Sequence, residues 1–347
     1  LKDVLHKLTL LGEAICVQLE NGCLPFIEIP SRTTSNIVYD EMRGRFVLSG
    51  ARIKRTTSNV KHLRVFTQTV WMAYMAKRLI EEGKSTTLRD LYYMAESYGV
   101  KFKDQQESDS IIADVEALLG VSREQLRIFP EERATIYGDL TIRYNVHGYE
   151  RTILNLTASP DGVAIGPALA AADFQDCGAE KVIMVESGGM FTRLIEEKAH
   201  EKFKAVLIHT AGQAPRLARH FAYRLKRELG LPVYIFTDGD PWGAHIAMVI
   251  ISGSANAAHV DSLVIPDAKW IGILPTDIED YRLPFEKFNE KDWKRLHDLM
   301  ADPRYQSPFW RNQLKKFEEE GKKSEQQALS IYGLSYVTEK YLPEKLI

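Results

Sequence analysis

The 347-residue chain is 45% hydrophobic and 27% charged, with 45 Lys and Arg against 47 Asp and Glu and a formal net charge of −2. That composition suits a globular protein large enough for two cores and excludes binding to polyanions through bulk charge alone. No apolar run reaches the roughly 18 residues of a membrane span, the start does not read as a signal peptide, and Cys16, Cys23 and Cys177 lack metal or disulfide spacing, so a cytoplasmic setting is expected.

Residues 4–19 predict a helix, and a turn-rich stretch follows in which Pro25 and Pro30 flank a strand-like F-I-E-I. Residues 1–50 show no chemistry and read as an arm packed on its own domain or on a partner. From 51 to 104 there are eleven Lys and Arg against five Asp and Glu, so one face can be positive although the whole chain is not. Arg52, Lys54, Arg55 and Lys61 open this stretch as candidate DNA contacts. Leu63, Phe66, Val70 and Tyr74 then recur at helical spacing. After Gly83, Thr87 and Asp90 make a T-x-x-D capping box that opens a second helix. A third helix, 110–119, gathers Ile111, Ile112, Val115, Leu118 and Leu119 on one face and stops at Gly120. The run R-I-F-P-E-E-R-A-T-I-Y-G-D-L-T-I-R-Y-N-V alternates like two strands about a charged turn. Three helices and a hairpin over 51–146 predict a winged helix of the CAP-like kind, which usually lays its last helix in a DNA groove.

The second of these helices carries two adjacent tyrosines. Leu88, Leu91, Tyr92 and Ala95 fall at the spacing of a core stripe, which points Tyr92 inward. Tyr93 is rotated about 100° away and shares its face with Arg89 and Glu96. An exposed tyrosine on a basic domain is most often a surface residue or a base-stacking platform. As a nucleophile a phenol, ionising near pH 10 in water, needs help. Arg89, one helical turn back, could supply it by holding the phenolate or a phosphate.

Residues 147–347 form the second domain. Apolar runs at 182–185, 205–208 and 233–236 alternate with amphipathic stretches, the β-α-β-α-β pattern of a parallel sheet. Glu186 follows the first run, and Asp238 and Asp240 follow the third, at the strand ends where open α/β sheets hold ligands. In extended chain the two aspartates point the same way, and Gly239 between them leaves room for a tight turn. Three carboxylates at one rim call for a cation, and all-oxygen ligation suits Mg²⁺. Separately, E-S-G-G is mostly a strand-to-helix turn, and D-x-D also serves in calcium loops and sugar-nucleotide transferases. The helix from Pro215 to 229 places Arg216 and Arg219 near its N-terminus, where phosphate is favoured; a solvated helix face is the competing reading. A helix to about 251 and strands at 263–265 and 270–273 should follow. Residues 276–347 read as charged helices used in packing or dimerisation, with Lys315, Lys316, Lys322 and Lys323 on solvated surface.

The ordered set Glu186, then Asp238-x-Asp240 on successive strands, resembles the Toprim domain of topoisomerases, primases and some nucleases. A basic winged helix with L-R-D-L-Y-Y ahead of V-E-S-G-G-M-F and F-T-D-G-D-P-W-G narrows this. Together they resemble the family of topoisomerase VI A subunits, the DNA-cleaving chains of type IIB DNA topoisomerases, from about residue 60 onward. The resemblance implies Tyr93 as the residue that attacks DNA, Arg89 and Asp90 as companions in its motif, and Glu186, Asp238 and Asp240 as Mg²⁺ ligands. It also implies a transient double-strand break through a 5′-phosphotyrosyl link, a homodimer sharing active sites between protomers, and a GHKL-type ATPase partner in an A2B2 heterotetramer. The sequence holds no G-x-x-x-x-G-K-[ST] loop, so ATP is assigned to that partner. Two stretches depart from the family pattern: H-T-A-G-Q-A-P-R after the middle strand and E-R-A-T-I-Y-G at the wing. Three other readings stand beside this one. They are a meiotic-type break-forming transesterase, a Toprim nuclease in which Tyr93 is incidental, and a binding module with a vestigial metal site.

Overall fold

A computed structural model describes residues 2–130 and 134–346. Its contacts gather into two units. The first comprises Leu1–Val38, Phe46–Glu131 and Ala255–Asp261, and the second comprises Tyr39–Arg45, Glu132–Ser254 and Ser262–Ile347.

In the first unit the helix Lys2–Glu20 precedes an antiparallel ribbon of Phe26–Pro30 and Arg52–Thr56. The helix Val60–Glu81 starts at Asn59, whose side chain accepts from Lys61 N. Its core face runs through Phe66, Met72, Met75, Ala76 and Leu79, while Leu63 and Tyr74 are 44% and 47% exposed. The stripe expected from the sequence is therefore rotated, because Trp71, Met72 and Met75 present more apolar surface than Leu63 and Tyr74 do. The helix Leu88–Ser97 begins at the expected capping box, with both Thr87–Asp90 hydrogen bonds formed. The helix Gln105–Leu119 starts at Asp104 and ends at Gly120, whose φ of 61° is the left-handed cap that glycine adopts without a Cβ clash. Leu91, Ala95, Ile111, Ile112, Val115, Leu126 and Ile128 close the core with the long helix. Asp114, 6% exposed on the helix Gln105–Leu119, is paired with both Arg32 and Arg55, which compensates a charge that burial alone would expel.

The strands expected as a hairpin do not pair with each other. Ile128–Phe129 runs parallel to Thr86–Thr87 in the first unit. Thr135–Tyr137 is antiparallel to Ala205–His209 in the second unit, and Leu140–Arg143 lies between Ile153–Asn155 and Asp173–Cys177. The charged turn at 131–133 lies outside the described residues. Alternation in this run reported half-buried strands, but alternation does not name a strand's partner.

The second unit is built on a six-stranded sheet in the order Val163–Ala164, Thr135–Tyr137, Ala205–His209, Lys181–Val185, Val233–Phe236, Lys269–Gly272. The last four are mutually parallel, and the pairings made by Thr135–Tyr137 on either side are antiparallel. Val182–Val185 and Val233–Phe236 are buried along their whole length, as strands covered on both faces must be. The helices Gly188–Glu196, Arg216–Leu229 and Pro241–Ser252 connect or follow these strands. Residues 263–265 do not form the strand expected of them. Asp261–Leu263 is a single 3₁₀ turn, and Pro266 just beyond lacks the N–H a ladder needs. Among the described residues no helix is long and apolar enough to cross a membrane.

Candidate active site

The acidic residues sit where parallel strands end. Glu186 follows Lys181–Val185, and its Oε2 accepts a hydrogen bond from Asp238 N at 3.0 Å. Asp238 Oδ1 accepts from Gln326 N at 2.8 Å, and Asp240 Oδ1 accepts from Gly243 N at 2.6 Å as the N-cap of Pro241–Ser252. Each carboxylate thus has an oxygen fixed by backbone. Gly239 is required by close approach, since a Cβ there would lie 2.8 Å from Ile273 Cγ2 and 3.2 Å from Ile273 O. In E-S-G-G, Ser187 caps the following helix, and a Cβ on Gly188 would press the His209 ring at 3.4 Å. His209 stacks on Phe191 with ring centres 5.5 Å apart, and burial lowers its proton affinity.

The segment around 322–328 folds back over these strand ends. Gly239 and Ser324 form an antiparallel bridge, with Gly239 N donating to Ser324 O at 2.7 Å. Gln326 is fully buried. Its Nε2 donates to Phe236 O at 2.8 Å, and its Oε1 accepts from Ser187 N at 3.0 Å. It therefore ties the glutamate strand's turn to the aspartate strand. Lys323, expected on solvated surface, instead lines a cavity of about 390 Å³ together with Asp238, Asp240, Glu286 and Glu325. Its Nζ lies 3.0 Å from Asp292 Oδ2. Neither Gln326 nor Lys323 carries a spacing signal. Both reach the site from more than eighty residues downstream of Asp238.

The electrostatics of the site are those of a negative cluster short of positive charge. Burial, then the charges of Asp238 and Asp240, pushes the Glu186 carboxyl up to about 7. Burial and the neighbouring Asp240 and Glu325 push Asp238 up to about 6. Asp240 is raised by burial and by Asp292, against a smaller opposing effect of Lys323. A donor set of carboxylates alone fits a hard divalent cation, which would reverse each of these shifts. Among the described residues no group of three or more His, Cys, Asp and Glu side chains is arranged to hold a metal ion; Mg²⁺ needs fewer protein ligands than that, since it keeps several waters and shares its shell with substrate phosphates.

In the first unit, Tyr93 is 58% exposed on the helix Leu88–Ser97, its ring 5.5 Å edge-on from that of Tyr92. Tyr92 is half-buried rather than fully inward and borders a cavity with Glu96, Lys101 and Phe102. Arg89 is exposed one turn before Tyr93. Asp90 is committed to the helix start, its Oδ2 accepting from Thr87 N at 3.3 Å.

The candidate DNA contacts divide. Arg52, Lys54 and Lys61 are exposed, Arg52 donating to Glu28 O at 2.7 Å and Lys54 resting 3.7 Å over the Phe26 ring. Arg55 is turned inward instead, bonded to Thr69 Oγ1 at 2.7 Å and paired with Asp114. Arg216 is half-buried. Arg219 is 7% exposed, with Nε donating to Ala214 O at 3.2 Å. Arg55 and Arg219 are thus turned into their own units instead of standing on the surface as expected.

Two family models match the chain. One, for the Toprim domain of topoisomerase 6 A subunits and Spo11, covers residues 181–346, and one described as "Type IIB DNA topoisomerase" covers 64–128. The A subunit of type 2 DNA topoisomerase 6 from Methanothermobacter thermautotrophicus is 46% identical over 99% of this chain and 96% of its own length. That of Halobacterium salinarum is 37% identical over 98% of this chain and 94% of its own. That of Archaeoglobus fulgidus is 39% identical over 95% and 92%.

Proposed function

The chain belongs to the family of type 2 DNA topoisomerase 6 A subunits, and on that premise we propose that it cuts and rejoins both strands of DNA through Tyr93. The Tyr93 Oη attacks a backbone phosphorus, and the bond from phosphorus to the 3′ oxygen breaks. The departing 3′ oxygen takes up a proton as the phenol loses one, leaving a free 3′-hydroxyl and a 5′-phosphotyrosyl chain. One phosphodiester replaces another, so resealing is the same step reversed and needs no further energy source. Arg89, exposed one turn before the nucleophile, holds the attacked phosphate or the developing phenolate. Mg²⁺ held by Glu186, Asp238 and Asp240 would supply positive charge to the phosphate and the leaving oxygen. Arg52, Lys54 and Lys61 contribute phosphate contacts that position the duplex without reading its sequence.

Two cuts require two tyrosines, hence a homodimer. ATP binding falls to a separate GHKL-type partner, giving an A2B2 assembly. The observation that carries this reading is the carboxylate cluster: three acids immobilised by backbone, with proton affinities raised by burial and by one another. The test reconstitutes the chain with its ATPase partner on supercoiled DNA with Mg²⁺ and a non-hydrolysable ATP analogue, then denatures and probes the ends. Protein at the 5′ termini, absent in Tyr93→Phe, is the expected result. Cleavage retained by Tyr93→Phe with bare ends would instead establish a water-using nuclease.

A further inference from the structure

Among the described residues one cation faces the acidic cavity, and it has no part in the chemistry derived so far. Lys323 borders it beside Asp238 and Asp240. Its backbone is fixed on both sides, since Lys322–Lys323 pairs with Glu286–Lys287 and Ser324 bridges to Gly239 between the aspartates. The ammonium reaches Asp292 at 3.0 Å and Glu286 at 3.9 Å, with 22% of the side chain still exposed. Asp292 has a second anchor, because its Oδ2 also accepts from Asn289 N at 3.1 Å in the capping box of Glu290–Ala301. Among the described residues the lining holds four carboxylates, Asp238, Asp240, Glu286 and Glu325, against this single ammonium. A phosphodiester entering such a space meets net repulsion, which one divalent ion does not fully offset. Lysine's flexible four-carbon stem lets the charge swing from Asp292 to a nearby oxygen with no backbone movement.

We propose that Lys323 is a phosphate-binding residue, whose ammonium leaves Asp292 and pairs with a non-bridging oxygen of the DNA backbone as it enters the acidic cavity. This rests on the reading of that cavity as the place where DNA is cut.

The test compares wild type, Lys323→Gln, Lys323→Arg and the double variant Lys323→Gln/Asp292→Asn, each as full-length chain assembled with the ATPase partner. Binding of a short duplex is measured against salt, and Mg²⁺ affinity of the chain without DNA by calorimetry. Loss of one phosphate contact lowers the slope of log K against log salt by about 0.9, and that drop is expected for Lys323→Gln and for the double variant. Mg²⁺ should bind Lys323→Gln at least as tightly as wild type, because a neighbouring positive charge is gone. Cleavage should fall roughly tenfold or more, equivalent to about one contact's binding energy, and Lys323→Arg should stay within about threefold of wild type by keeping the charge. The double variant should recover the unfolding midpoint without recovering cleavage. An unchanged salt slope in Lys323→Gln overturns the proposal, as does cleavage restored by the added Asp292→Asn. Weaker Mg²⁺ binding together with a lower unfolding midpoint, uncorrected in the double variant, also overturns it and makes Lys323 a structural prop. Failure of the cleavage reading looks different, because wild type then makes no 5′-linked break at all while the salt slopes still report on Lys323.

Discussion

Replacing Glu186 with glutamine should stabilise the metal-free protein. The carboxyl is pushed from 4.5 to about 7 by burial and by Asp238 and Asp240, a difference of about 2.5 units, or about 3 kcal/mol at roughly 1.36 kcal/mol per unit. The sign follows from the direction of that shift. The folded state holds this proton more tightly than the unfolded chain, so stability falls as pH rises from about 4.5 to about 7 and stays reduced above it. Glutamine is nearly isosteric, and its amide oxygen can still accept the hydrogen bond that Asp238 N donates at 3.0 Å. In EDTA at pH 8, Glu186→Gln should therefore unfold on the order of 6–12 °C above wild type, taking about 2–4 °C per kcal/mol for a unit of this size. Near pH 5 the two proteins should unfold nearly together. Added Mg²⁺ should raise the wild-type midpoint and leave the variant unmoved. A variant less stable than wild type at pH 8, or a gain of equal size at pH 5, would refute the view that Glu186 is held in an unfavourable charge state.

The same shifts set the pH dependence expected of metal uptake at the proposed site. With Glu186 near 7 and Asp238 near 6, both protons must leave, so Mg²⁺ affinity by calorimetry should rise roughly twentyfold from pH 6 to pH 8 and then level off. Gln326→Ala removes hydrogen bonds to Phe236 O and from Ser187 N. Leaving those buried backbone groups unpaired should cost about 2–4 kcal/mol in unfolding experiments and weaken Mg²⁺ binding. Asp114→Ala leaves Arg32 and Arg55 without their shared partner, and proteolysis or hydrogen exchange should show the first unit destabilised by about 3–5 kcal/mol. Tyr93→Phe, at a position 58% exposed, should shift the unfolding free energy by less than about 0.5 kcal/mol while abolishing covalent attachment to DNA.

What was readable from sequence was local. The runs ending at Val185 and Phe236 became fully buried strands because unbroken apolar stretches of that length suit a sheet covered on both faces. Thr87 and Asp90 announced a helix start whose two hydrogen bonds are both present. The rotation that separates Tyr93 from its neighbour followed from helical geometry, and the 58% exposure agrees with it. What stayed hidden was long-range. Thr135–Tyr137 pairs with Ala205–His209, not with its neighbour in sequence. Arg55 turns inward because Asp114, 59 residues away, waits for it. Lys323 and Gln326 sit in polar sequence like any solvated run, and only the folded chain brings them against the aspartates.

The bridge between Gly239 and Ser324 has a consequence for how the protein is made. Asp238 receives its hydrogen bond from a residue 88 positions further on, so a nascent chain already displaying both aspartates still lacks the piece that braces them. An unfinished or clipped polypeptide would carry the acidic sequence in full and yet hold its carboxylates loosely. Synthesis order itself thus delays assembly of this acidic cluster until the bracing segment has left the ribosome.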